Sequence, residues 1–76
     1  MSNIKFVWDF YGPDSKFLAD HHLVHLIDFL SQEKILSTDS GVSIESDNYA
    51  FSFITLDSSY LEIIKSSLKP HQAFKA

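Results

Sequence analysis

Apolar and polar residues alternate from the start of the chain. In NIKFVWDFY, residues 3–11, Ile4, Phe6, Trp8 and Phe10 fall on one side, and Lys5, Val7, Asp9 and Tyr11 on the other. A period of two predicts a strand with one strongly apolar face and one mixed face. Gly12-Pro13-Asp14-Ser15 ends it, because proline cannot continue a central ladder, and Asp14 and Ser15 are good helix N-caps. The period then changes. Ala19, His22, Leu23, Leu26, Phe29 and Leu30 recur at helical spacing and predict a long helix over 15–35. Phe17 and Val24 lie outside its apolar face, so the helix is not cleanly two-sided. Ser37 to Gly41 reads as a polar loop.

Val42 to Glu45 is a short alternating stretch, Ser46-Asp47-Asn48 supplies turn chemistry, and YAFSFITL, 49–56, alternates again. Together they predict a hairpin. The second strand of that hairpin is apolar on both sides: Tyr49, Phe51 and Phe53 on one, Ala50, Ile54 and Leu56 on the other. Asp57-Ser58-Ser59 precedes a second helix, with Ser59 and Glu62 at capping-box spacing and Leu61, Ile64 and Leu68 as its buried stripe. Lys69-Pro70 ends it. Residues 71–76 are a small edge strand or a frayed tail.

The order strand, helix, strand, strand, helix and a possible last strand predicts one α+β domain over 1–76. The architecture it suggests is ferredoxin-like: a two-layer sandwich with two helices on one face of an antiparallel sheet. Two helices cover one sheet face only. The other would expose aromatic surface beyond what a soluble monomer usually shows, which predicts a two-fold homodimer paired sheet to sheet.

Composition narrows the chemistry. The 76 residues contain no cysteine, which excludes disulfides, thiolate metal sites and cysteine catalysis. Seven Phe, three Tyr and one Trp are a heavy aromatic load for a chain this short. The net charge is −4; the six basic residues are all lysines and are scattered, so the clustered footprint of a nucleic-acid binder is missing. No apolar run approaches a bilayer span, and MSNIKFVWDF does not read as a signal peptide, so a soluble cytoplasmic protein is expected.

The densest chemistry is ADHHLVHL, residues 19–26. His21 and His25 stand four apart, the helical half of many zinc sites. The peptidase pattern needs Glu after its first histidine; here His22 follows. Asp9, Asp20, Asp28 and His71 are the candidate further ligands. His22 leans toward the core, while His21 and His25 form an outward pair. The second candidate is WDFYGPDS, 8–15, where a strand runs into a helix N-terminus. Trp8, Asp9 and Tyr11, with His22, are the side chains expected to line a ligand site there. An Asp9 that faced His21 or His25 could do acid–base work. No G-x-G-x-x-G, P-loop or nucleophile elbow is present, so no motif identifies a cofactor.

The leading expectation is a small non-enzymatic homodimeric binding or regulatory module, with a small ligand or a protein as its partner. One alternative is a metal protein or enzyme using His21, His25 and a carboxylate. Another is a structural subunit docking through the aromatic sheet face.

Overall fold

The computed structural model describes residues 2–76. Four strands, β1 (Asn3–Tyr11), β2 (Asp39–Ser46), β3 (Tyr49–Asp57) and β4 (Gln72–Lys75), form one antiparallel sheet in the order β2-β3-β1-β4. Two helices, α1 (Ser15–Gln32) and α2 (Leu61–Ser67), join it. The β1–β3 register runs from Asn3 opposite Asp57 to Tyr11 opposite Tyr49. Opposed residues in an antiparallel pair share a face. The pairing therefore sets Phe6 beside Ile54 and Ile4 beside Leu56 on one side. Lys5, Val7, Asp9 and Tyr11 lie with Tyr49, Phe51, Phe53 and Thr55 on the other.

Both helices pack on the first of these sides. Phe6 and Trp8 of β1 and Ile54 and Leu56 of β3 join Leu26 and Leu30 of α1, Ile35, and Ile64 of α2 in one core. Ile4, Phe10, Leu23, Phe29, Tyr60, Leu61 and Leu68 fill its margins. The helical stripe in the sequence is thus the buried one, and Phe17 and Val24, off that stripe, are exposed.

Four local features depart from the sequence expectation, each for a physical reason. α1 stops at Gln32, not at residue 35. Lys34 takes a left-handed backbone (φ 57°), its N–H reaches the Ser31 carbonyl, and the Ile35 N–H reaches the Leu30 carbonyl. This is a Schellman stop, whose hydrophobic residue, Ile35, is buried against the core. Ile35, inside the expected helix range, therefore makes a cap contact and not a further helical turn. The first strand of the hairpin begins at Asp39, because β3 offers a ladder that the polar Asp39-Ser40-Gly41 takes up despite its lack of alternation. The capping box is absent: after β3, Ser58–Tyr60 form a 3-10 turn, and the Asp57 carboxylate accepts the Ser59 N–H at 3.0 Å, so α2 starts later, at Leu61. Asp14 precedes α1 without a side-chain cap bond.

The C-terminal segment is a strand. The His71 N–H donates to the Val7 carbonyl, Ala76 N–H to the Asn3 carbonyl, and Gln72 to Lys75 pair with β1 between these points. Trp8 secures the approach from above, its indole Nε1–H donating to the Leu68 carbonyl at 2.9 Å. No helix among the described residues is long and apolar enough to cross a membrane.

Candidate functional site

The strand β1 divides the expected ligand residues between two places. Alternation sends Trp8 up toward the helices and Asp9 and Tyr11 down to the open side. Trp8, Asp9, Tyr11 and His22 therefore do not line one pocket. Nor does Asp9 face His21 or His25, and that acid–base pairing is ruled out by the pleat itself.

On the helical side, His22 packs against the rings of Trp8 and Phe10, with centroids 5.4 Å from each. Its Nε2 is buried and has no hydrogen-bond partner among the described residues. Burial, helped by the charges of His25, His71 and His21, holds its pKa below the ordinary 6.5. An imidazole that fills an aromatic gap, with burial disfavouring its charged form, suits packing more than chemistry. Open depressions lie instead along the outer flank of α1. One of about 410 Å³ is lined by Leu23, Val24, Ile27, Asp28 and Ser31, and another of about 310 Å³ runs on to Ile35, Leu36 and Ser37.

His21 and His25 project from α1 as the outward pair. Both are exposed, and their Nε2 atoms stand 3.2 Å apart. Asp20 is engaged elsewhere, in an exposed ion pair with Lys16. His71 is also committed, since its Nδ1 accepts the Asp9 backbone N–H at 2.8 Å. Among the described residues no group of three or more His, Asp or Glu is arranged to hold a metal ion. The sequence's further-ligand candidates thus leave the histidine pair alone.

The open side of the sheet is more organised. Tyr11 and Tyr49 stack at 4.9 Å, nearly parallel, and Tyr49, Phe51 and Phe53 follow one another along β3 at 6.1 Å spacings. Lys5 lies over two of these rings, its Nζ 4.5 Å from the Phe53 centroid and 5.5 Å from that of Phe51. Phe74 of β4, opposite Lys5 in the register, is half exposed. Gly41 makes room for the stripe: a Cβ there would come within 3.2 Å of the Phe53 ring.

Asp9 sits beneath the stripe and is buried. Tyr49 donates its hydroxyl to Asp9 Oδ1 at 2.6 Å, and Gln72 donates its amide to Oδ2 at 2.8 Å. Three strands thus meet on one carboxylate, and burial of the charge is matched by bonds to both oxygens. The bond to Asp9, then burial and the negative neighbours, raise the Tyr49 phenol to about 12. Sequence reasoning grouped the aromatics of β3 but missed Lys5 and Gln72 as their neighbours. Alternation did carry part of that signal, since it puts Lys5, Asp9 and Tyr11 on one side.

No known family model, no curated protein and no solved structure matches the chain. Its function therefore rests on this geometry.

Proposed function

We propose that the chain is a non-enzymatic binding module of ferredoxin-like arrangement, and that it works as a homodimer joined through the open face of its sheet. The strand order β2-β3-β1-β4 with every neighbour antiparallel supports the first part. The observation that carries the second is the aromatic stripe. Tyr11, Tyr49, Phe51, Phe53 and Phe74 crowd one sheet face that neither helix covers.

A second copy is the occupant whose chemistry fits. The carboxylate of Asp9 is already satisfied within the chain. The remaining charges are one cation near the middle, Lys5, and acids toward the margin, Asp39, Glu45 and Asp57. A two-fold partner brings acids for each lysine and rings for each ring, which is the self-complementarity an isologous contact requires. The acids of α1 and its flanking turn, Asp14, Asp20 and Asp28, belong to the helical layer, away from the contact. The contact face itself carries more acid than base, Asp9, Asp39, Glu45 and Asp57 against Lys5, so pairing of two copies is expected to tighten as salt screens their repulsion.

Light scattering across a dilution series tests this. The expected result is twice the chain mass at high concentration, with dissociation shifted to higher concentration in the Phe51→Ser/Phe53→Ser double variant. A mass of one chain at every concentration, with the parent and the variant alike, overturns the dimer.

A further inference from the structure

The histidine pair of α1 lies outside the proposed contact, on the helical layer, and its geometry carries its own chemistry. His21 and His25 are one helical turn apart, so their rings project side by side from the same exposed flank. Their Nε2 atoms are 3.2 Å apart and their ring planes are nearly perpendicular. Phe17, one turn earlier, lies parallel to the His21 ring, with centroids 6.5 Å apart.

With zinc-to-nitrogen bonds of about 2.0–2.1 Å, that separation subtends roughly 100–106° at a shared ion. The angle falls between the octahedral and tetrahedral values. The two imidazole nitrogens stand at a separation that one cation spans without a change of backbone, once the rings turn their lone pairs toward it. We propose that His21 and His25 form an open two-histidine site for a divalent transition cation, with zinc, nickel and copper the chemical class that imidazole selects.

The pair also has to give something up. At 3.2 Å the two Nε2 atoms form a hydrogen bond when one of them carries the proton, and the tautomer sets which one donates. Metal capture needs a lone pair on both, so the donor ring must move its proton to Nδ1, and the hydrogen bond is exchanged for two metal bonds. The remaining positions on the ion belong to water, because among the described residues no third His, Asp or Glu joins the pair. Such a site is exchangeable rather than structural, and its open positions are available to a donor atom from a binding partner. Because both ligands lie on α1, the bound ion clips two successive turns and stabilises the helix by mass action.

The test uses the full chain without an affinity tag and zinc chloride alone. Calorimetric titration, with the imidazole ring signals followed by NMR, is expected to give one zinc per chain and to shift the rings of His21 and His25 but not that of His71. The melting temperature is expected to rise with zinc. His21→Ala and His25→Ala, both exposed and neutral to the core, are each expected to weaken zinc binding by about tenfold or more. Affinity that falls by less than this in either variant, or the absence of saturable binding in the parent, overturns the site. Neither outcome depends on whether the chain is a dimer.

Discussion

The two sides of the sheet contain similar rings but hold them by different means. On the helical side Phe6, Ile54 and Leu56 are fully buried, and their stability comes from contact with α1 and α2. On the open side Tyr49, Phe51 and Phe53 are held by neighbours in their own layer: by each other, by Lys5 lying over them, and by a glycine that leaves them space. One side excludes water through a second layer; the other remains a surface. The difference teaches that aromatic content alone does not identify the core. The second layer decides, and where it is missing, the same residue types stay partly open to water.

The comparison is broken most directly by making one change on each side. Phe6→Ala removes a fully buried ring and leaves a cavity, at a cost of about 3–5 kcal/mol. A domain of this length has only roughly 4–11 kcal/mol in total, so the variant is expected to be largely unfolded or close to it. Phe53→Ala removes the same atoms from a partly buried position and is expected to cost the isolated chain roughly 1 kcal/mol. Urea unfolding of both variants measures this. Equal losses at concentrations where the chain is monomeric would mean that the open face is core in all but name.

The polar network of the open side is the next target. Asp9→Ala strands the Tyr49 hydroxyl and the Gln72 amide and is expected to cost about 1–3 kcal/mol, read by the same urea midpoint. A change below measurement error would mean that water replaces the carboxylate at no cost. The network also has a pH signature. The folded state holds the Tyr49 proton up to about 12 against an ordinary value of 10.0. The unfolded chain therefore releases that proton first as pH rises. The stability linked to Tyr49 is fully present below pH 10, declines through the interval and is gone above about 12. Ultraviolet titration is expected to show one phenol ionising last. Tyr49→Phe abolishes that step, and Asp9→Asn moves it to lower pH.

Much of this architecture is legible in the residues. Alternation in 3–11 and 49–56 locates both central strands and the two faces of each, and the helical period finds the buried stripe of α1. It also separates His22, packed on Trp8 and Phe10, from the outward His21 and His25. What escapes is whatever depends on register or on a terminus. No local pattern says that Gln72 lies beside Asp9, 63 residues away. Lys34, a residue with no preference for left-handed backbone, closes α1 because Ile35 is held in the core, and tertiary contact outweighs local propensity there. The site is harder still. Trp8 and Asp9 are neighbours in sequence, yet the pleat puts them on opposite faces, and grouping residues by proximity along the chain joined two surfaces that do not meet.

The smallest expected effect sharpens the comparison from the helical side. Ser52 lies opposite Trp8 in the β1–β3 ladder, fully buried, and its hydroxyl has no hydrogen-bond partner among the described residues. Asp9, on the other side of the same ladder, carries more charge and yet has a bond at each oxygen. An unpaired buried hydroxyl costs about 1–3 kcal/mol on the scale of protein substitutions, and alanine keeps the small volume without the polar atom. Ser52→Ala is therefore expected to leave the melting temperature unchanged or to raise it by a few degrees, an effect opposite in sign to Asp9→Ala. A loss of more than about 1 kcal/mol would show that the hydroxyl is bonded in solution, to a water lodged beneath Trp8. The helical side would then hold polar structure of its own, and the division of labour between the two faces would be less sharp than the packing implies.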